Sequence, residues 1–203
     1  MVLIKKNIVN PLQGWQVGPD EINYLGKDLQ RPECILTEKD GTVWSADARG
    51  GVMKLNTDGT QQLIKGNFGE PPEAEKSFLS AGSEISNPKS EMVQDIRNYQ
   101  SRYIQATGSL PNGLCLDANG DFIIAIWGTN HIERMTREGK LTTILAEIDG
   151  QPLGKTNFPL RDSEGRIWFS VTTQTEPWSD QINTRATDGY IALIDNKGAR
   201  IVA

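Results

Sequence analysis

Short apolar runs alternate with polar stretches along most of the chain, and pairs of an acidic or amide residue with glycine separate the runs. Asp40-Gly41 and Asp58-Gly59 are two such pairs. Because Gly and Asn tolerate positive φ, pairs of this kind between apolar runs are strong hairpin signals. The first cluster of runs is therefore predicted to form four antiparallel strands, at about 33–37, 42–47, 51–55 and 60–64.

The same pattern occurs three times in one register. The turn glycines are Gly41, Gly120 and Gly165, followed by Gly59, Gly139 and Gly198. Apolar residues keep their spacing to these glycines: Trp44, Ile123 and Trp168 follow the first turn, and Val52, Ile132 and Ile191 precede the second. A four-stranded repeat of roughly 45 residues has the size of a β-propeller blade. Unrelated hairpins of a β-sandwich could imitate one match, but three aligned units favour an all-β, partial propeller of about three blades.

We interpret residues 1–203 as a single partial propeller domain with blade-like units at 32–65, 111–146 and 156–203. An insertion at 66–107 separates the first two units, and helical spacing of its apolar residues predicts a helix of about 89–105. This helix is interpreted either as a lid or as a docking element between blades. The insertion is interpreted as an added lobe rather than a decayed blade, because no alternating strands are visible in it. A second insertion, at 171–188, interrupts the third unit, and both insertions belong to connections on one face.

Composition excludes several classes of function. The net charge of −5 gives no electrostatic reason to bind nucleic acid or an anionic membrane. No apolar run approaches the roughly 20 residues of a membrane helix, and the N-terminus lacks the apolar core of a secretory signal, so a cytoplasmic location is expected. Two cysteines, Cys34 and Cys115, cannot make a disulfide framework and are expected to be buried thiols. A single histidine leaves no zinc site of the usual kind.

Three polar residues occupy one equivalent position, eight residues before the first turn glycine: Glu33, Asn112 and Asn157. In a propeller the first strand of each blade lines the central channel, so these side chains are predicted to ring the axis at one depth. Buried there, a carboxylate and two carboxamides need a partner, and oxygen ligands of this kind suit calcium. The alternative is that they cap strand starts and bind only water.

His131 falls in the connection between the second and third strands of its unit, on the same face as these three residues. It is a candidate for binding substrate, by polarising a carbonyl or moving a proton. The alternative is a solvent-exposed loop histidine.

The chain resembles the senescence marker protein, gluconolactonase and luciferin-regenerating enzyme family of six-bladed propellers. The resemblance covers most of 31–203 except the insertion at 66–107, and it is carried by RPECILTEKDGTVWSADARGGV, LPNGLCLDANGDFIIAIWG, EIDGQPLGKTNFPLRDSEGRIWFSV and DGYIALIDNKGARIV. It implies an axial divalent metal, usually calcium, and hydrolysis of a lactone or ester. Glu33 and Asn157 match the family's metal ligands, and Asn112 matches an asparagine that contacts metal or substrate.

Two departures limit what the resemblance implies. The family's further acidic ligand, which is often treated as the catalytic residue, comes from a later blade and is expected beyond Ala203, so the catalytic residue stays unassigned. Leu110 stands where some family lactonases have a substrate-binding arginine, which argues against a sugar-acid lactone.

Three blades cannot close a ring, and propellers have four to eight, so the chain is expected to be an N-terminal portion of a longer protein. The open edges could also support self-association. The leading hypothesis is a metal-dependent hydrolase acting on a small-molecule lactone or ester, incomplete in this chain. The alternatives are a non-catalytic propeller binding module and an inactive truncated remnant.

Overall fold

The computed structural model describes residues 11–68, 109–176, 178–183 and 187–203. Their strands form three four-stranded antiparallel sheets and one small hairpin. Sheet one contains Ile35–Thr37 (β1), Val43–Asp47 (β2), Gly51–Leu55 (β3) and Gln61–Lys65 (β4). Sheet two contains Pro111–Leu116 (β5), Phe122–Ile126 (β6), His131–Met135 (β7) and Leu141–Leu145 (β8). Sheet three contains Thr156–Arg161 (β11), Ile167–Val171 (β12), Tyr190–Asp195 (β13) and Gly198–Ile201 (β14).

Each sheet is a meander in which consecutive strands pair, as the glycine turns predict. All six turn glycines have φ between 81° and 102°, in the region that favours glycine. The register also repeats, because Ala46 pairs with Val52, Ala125 with Ile132, and Ser170 with Ile191. The prediction of an all-β fold built from about three four-stranded blades is therefore confirmed.

The sheets pack face to face through apolar side chains that alternate along the strands. Between sheets one and two, the Trp44 and Phe122 rings meet edge to face with centroids 4.9 Å apart. The Arg137 guanidinium carbon lies 4.6 Å from the Trp44 centroid and 4.5 Å from the Phe122 centroid, and the guanidinium pairs with Glu38. Cation–π contacts from Arg137 therefore cover the seam, by which we mean the interface between sheets one and two. Between sheets two and three, Ile123 and Ile132 pack in one cluster with Phe169.

The first strands of the three sheets lie side by side, as they do around the channel of a propeller. The Cys34 Sγ is 3.4 Å from the Leu114 carbonyl oxygen, which joins the start of sheet one to β5. Gly113 in β5 lies so close to β11 that a Cβ on it would be 2.5 Å from the Asn157 carbonyl oxygen. The inner strands therefore place Asn112 in β5 and Asn157 in β11 on neighbouring strands, whereas Glu33 lies in the segment before β1.

Two small elements connect or extend the sheets. Glu147–Ile148 (β9) and Gln151–Pro152 (β10) form a hairpin whose turn, Asp149-Gly150, has both residues at positive φ. Short 3-10 helices occur at Pro19–Glu21 and Trp178–Asn183. The predicted helix at 89–105 and nearly all of the 66–107 insertion lie outside the described residues. Within the described part of the chain, no helix is long and apolar enough to cross a membrane.

Candidate functional site

Asn112 and Asn157 occupy the same local structure in their sheets. Asn112 is the second residue of β5, in a bulge between Pro111 and Leu114, where the pairing with β6 shifts. Asn157 is the second residue of β11, in a bulge between Thr156 and Pro159. Because both inner strands have the same irregularity at the same repeat position, the two amides are equivalent in backbone as well as in sequence.

The two asparagines differ in exposure. Asn112 is buried, with 2% of its surface exposed. Asn157 is half-buried, and its Nδ2 donates a hydrogen bond to the Thr172 Oγ1 at 3.1 Å. That bond fixes the orientation of the amide and leaves the Asn157 Oδ1 as the atom suited to a cation.

Glu33 differs from the expectation that all three residues are buried. It precedes β1, which begins only at Ile35, and 41% of its side chain is exposed. The Glu33 Oε1 lies 3.1 Å from the Arg31 Nε, so the carboxylate already has a cationic partner in its own segment. Arg31 has φ of 51°, in the left-handed region. Leu110, at the same repeat position before Asn112, also has positive φ, at 44°, so the backbone turn is shared and Glu33 differs from Asn112 in its exposure and its ion pair.

The chemistry of the three residues fits a hard cation, because one carboxylate and two amide oxygens are ligands that calcium accepts. Within the described ranges, no group of three or more His, Cys, Asp or Glu side chains is placed to hold a metal ion. The predicted set contains only one such residue, Glu33. Binding through the Glu33 Oε1 would require its ion pair with Arg31 to open.

His131 is the first residue of β7, and its side chain is 36% exposed. The His131 Nδ1 lies 3.3 Å from the Glu133 Oε1. Glu133 is itself buried and accepts a hydrogen bond from the Thr143 Oγ1 at 2.9 Å. A buried carboxylate held by a hydroxyl thus stands beside the imidazole, which is an arrangement that can fix the orientation of a histidine ring.

A cavity of about 540 Å³ opens between the loops of sheets two and three. Its lining comes from the β6–β7 loop, the β9–β10 region and the segment after β12: Thr129, Asn130, His131, Ala146, Gln151, Pro152, Gly154, Gln174 and Glu176. His131 therefore lies at a cavity. Whether it binds a substrate stays a prediction.

A buried lysine that sequence analysis missed connects these loops. Lys155 is fully buried, and its Nζ lies 3.0 Å from the Asn130 Oδ1 and 3.2 Å from the Glu176 Oε1. The Asn130 Nδ2 donates to the same Glu176 oxygen. A buried ammonium needs such partners, so the network ties the β6–β7 loop to the insertion of the third sheet.

Asp188 organises the insertion of the third sheet. It accepts hydrogen bonds from the Thr173 Oγ1 at 2.8 Å and the Thr175 Oγ1 at 3.0 Å, among others. Burial raises the pKa of Asp188, but these hydrogen bonds lower it by more, so the group stays ionised. The Trp127 and Trp178 rings, 5.9 Å apart, dock the insertion on the β6–β7 loop.

Cys34 and Cys115 are buried free thiols, as predicted. Burial raises the pKa of Cys115 to about 12, and burial likewise raises the pKa of Cys34. Neither sulfur is a nucleophile at neutral pH.

Comparison with known proteins shows the fold. No family model and no curated protein matches the sequence. A gluconolactonase from Xanthomonas campestris is similar in structure, with a TM-score of 0.53, 15% identity, and coverage of 87% of this chain and 48% of that one. A structural-genomics protein provisionally assigned as a gluconolactonase has a TM-score of 0.51 and 15% identity, with coverage of 85% and 48%. Virginiamycin B lyase from Staphylococcus aureus has a TM-score of 0.46 and 18% identity, with coverage of 88% and 42%.

The described sheets are thus blades of a β-propeller. Their fold is of the kind found in gluconolactonases, and the chain spans about half the length of the two gluconolactonase structures.

Proposed function

We propose that this chain carries the metal-binding part of a gluconolactonase-type hydrolase that acts on a lactone or ester. Glu33, Asn112 and Asn157 would hold the cation, with calcium as the expected ion. One observation carries the proposal: Asn112 and Asn157 sit in identical bulges on inner strands that touch each other. Cytoplasmic location and the number of blades in a closed ring stay predictions.

A bound divalent cation would polarise the carbonyl of the substrate and stabilise the oxyanion. The two amides would provide neutral oxygen ligands, and Glu33 would provide the one negative ligand. A set with a single carboxylate would leave one of the two positive charges of the cation uncompensated beside the substrate oxygen. His131, beside Glu133 and the loop cavity, would hydrogen-bond the substrate on the same face.

The test combines metal binding with hydrolysis. Saturating calcium should raise the melting temperature of the chain, and a ligand at 100 times its Kd stabilises by about 2.7 kcal/mol. Glu33→Gln should reduce the calcium shift and any hydrolysis of short aliphatic lactones or esters. Glu138→Gln is the matched control, because Glu138 is an exposed glutamate in a turn between β7 and β8. The proposal fails if calcium produces no shift, or if both variants keep the shift and the hydrolysis.

A non-catalytic binding module is the second candidate. The ion pair between Glu33 and Arg31 favours it, because the only carboxylate of the set already has a cationic partner. Arg31→Gln separates the two candidates. If Glu33 serves a metal, removing the competing guanidinium should strengthen calcium binding. If the ion pair only shapes the loop, Arg31→Gln should leave calcium without effect.

A further inference from the structure

The His131 imidazole has one ring nitrogen engaged by a carboxylate and the other without a partner. The His131 Nδ1 lies 3.3 Å from the Glu133 Oε1, whereas the Nε2 makes no hydrogen bond to any of the described residues. His131 also lines the cavity of about 540 Å³ between the loops of sheets two and three. A histidine that is held by a carboxylate through one nitrogen and keeps the other unbonded at a cavity has the arrangement of a general base.

The carboxylate beside this ring is fixed by the neighbouring strand. Glu133 in β7 is 5% exposed and pairs in register with Thr143 in β8. The Thr143 Oγ1 donates a hydrogen bond to the Glu133 Oε1 at 2.9 Å, so the oxygen that meets His131 is itself held in place. A buried carboxylate in this position orients the imidazole and stabilises the imidazolium that forms when the ring takes a proton.

The backbone of the β6–β7 loop is anchored to sheet three. The buried Thr156 Oγ1 lies 3.1 Å from the His131 carbonyl oxygen and 3.0 Å from the Ile126 carbonyl oxygen. The preceding residue, Asn130, has φ of 65°, and the Nζ of the buried Lys155 lies 3.0 Å from its Oδ1. Contacts on both sides therefore hold His131 in one place, which a catalytic group requires.

The same cavity has a buried hydroxyl without a partner. Thr129 lines the cavity two residues before His131 and is 8% exposed. Within the described ranges, its Oγ1 is buried and makes no hydrogen bond. Buried hydroxyls nearly always have a partner, so this one needs an explanation. An unbonded donor near a general base is suited to the oxygen of a carbonyl that becomes negatively charged during the reaction.

The charges and walls of the cavity favour an uncharged substrate. The Glu176 carboxylate is neutralised by Lys155, at 3.2 Å. The only ion-pair partner of Glu133 among the described residues is His131, so a neutral imidazole leaves one negative charge that repels an anion. The volume lies in the range of small-molecule sites. The rest of the lining includes both apolar and amide side chains: Ala146, Pro152, Gln151 and Gln174.

We propose that His131 and Thr129 are catalytic residues of a hydrolytic site for a small uncharged ester or lactone, with Glu133 as the positioning residue. The His131 Nε2 takes a proton from water as the water oxygen bonds to the carbonyl carbon, and the Thr129 hydroxyl donates to the oxyanion. The bond from that carbon to the leaving oxygen then breaks, and the Nε2 returns the proton to the leaving oxygen, which gives an acid and an alcohol group.

This inference rests on the proposed function for the kind of reaction but not for the metal. The proposed ligands Glu33, Asn112 and Asn157 do not line the cavity. Hydrolysis at His131 should therefore continue when EDTA removes calcium. The presence of EDTA in the assay separates this site from the metal site.

Hydrolysis of p-nitrophenyl acetate in EDTA tests the site. The wild type should exceed the buffer rate, and His131→Gln should lower kcat by about 100-fold, as expected for loss of a general base. Thr129→Val should lower kcat by about 100-fold through loss of the oxyanion donor. Glu133→Gln should lower kcat and leave KM unchanged. Thr142→Val is the matched control, because Thr142 is an exposed threonine of β8, and it should keep the wild-type rate.

Chemical modification gives a second measurement that needs no variant. His131 is the one histidine of the chain, so diethyl pyrocarbonate reports on a single imidazole. Hydrolysis should fall in proportion to its modification and return when hydroxylamine removes the adduct. A wild type that does not hydrolyse the ester in EDTA, or a fully modified chain that keeps its rate, would overturn the inference.

The two sites can also fail separately. Hydrolysis that requires calcium and is lost in Glu33→Gln but kept in His131→Gln would contradict this inference and support the proposed metal site. Hydrolysis that is lost in His131→Gln and unaffected by EDTA or Glu33→Gln would support this inference and contradict a metal-dependent reaction.

Discussion

Replacing Gly113 by alanine would test the contact between inner strands on which the candidate site depends. A Cβ at this position would lie 2.5 Å from the Asn157 carbonyl oxygen, 2.6 Å from the Phe158 Cα and 2.8 Å from the Pro159 Cδ. Ordinary contacts start near 3.4 Å, so β11 must move by about 1 Å relative to β5. Two of these three atoms belong to the backbone, so no side-chain rotation relieves the clash.

The net cost follows from two opposing effects. Overpacking a filled site costs about 1–3 kcal/mol. The lower entropy of alanine in the unfolded chain offsets about 0.4–1 kcal/mol of that. We expect Gly113→Ala to destabilise the chain by about 1–2 kcal/mol and to separate Asn112 from Asn157, which should also weaken the calcium shift.

Urea unfolding with and without calcium measures both effects. Gly66→Ala is the control, because its Cβ would meet the ends of the Leu141 and Phe68 side chains, at 2.9 Å and 3.0 Å, and these can move aside. This variant should stay within about 0.5 kcal/mol of the wild type and keep the calcium shift. Wild-type stability and an unchanged calcium shift in Gly113→Ala would refute the strand contact as the basis of the site.

Three further predictions concern charged groups. Hydrogen bonds from Arg200 lower the pKa of Asp195 from 3.8 to about 2, because they stabilise the ionised carboxylate in the folded state. The ionised carboxylate therefore stabilises the fold above pH 3.8, and this stabilisation should be lost as the pH falls towards 2. In Asp195→Asn, the melting temperature should depend less on pH between these two values. Arg137→Ala should destabilise by about 1–2 kcal/mol in urea unfolding because it removes the cation–π contacts across the seam, and a loss below about 0.3 kcal/mol would contradict their role. Lys155→Met should destabilise by about 2 kcal/mol in urea unfolding, because Glu176 loses its cationic partner and keeps only the hydrogen bond from Asn130. The double variant with Glu176→Gln should recover most of the loss, and equal losses in both variants would argue against the pairing.

The strands were predictable because their turns have a strong local signal. The predicted strand at 51–55 is β3, and the one at 42–47 begins one residue before β2. The one at 60–64 is shifted by one residue from β4, and the one at 33–37 begins two residues before β1. The β9–β10 hairpin was missed, although Asp149-Gly150 is the same kind of turn pair. Its strands have only two residues each, too few to show an alternating pattern.

The surroundings of the site could not be predicted, because they depend on contacts between distant segments. Glu33 matches the two asparagines in spacing, but its ion pair with Arg31 and its exposure depend on the path of the chain before β1. Lys155 resembles an ordinary surface lysine in sequence. Only the fold shows that the loop containing Asn130 and the insertion containing Glu176 close over it.

A crystal structure of the chain grown in calcium tests the central claim most directly. We expect one cation with oxygen atoms of Glu33, Asn112 and Asn157 at the usual calcium distances of about 2.3–2.6 Å. The Arg31 side chain should then be turned away from the Glu33 Oε1. A structure with no cation at the starts of β5 and β11, and with the Glu33–Arg31 ion pair intact in saturating calcium, would contradict the account.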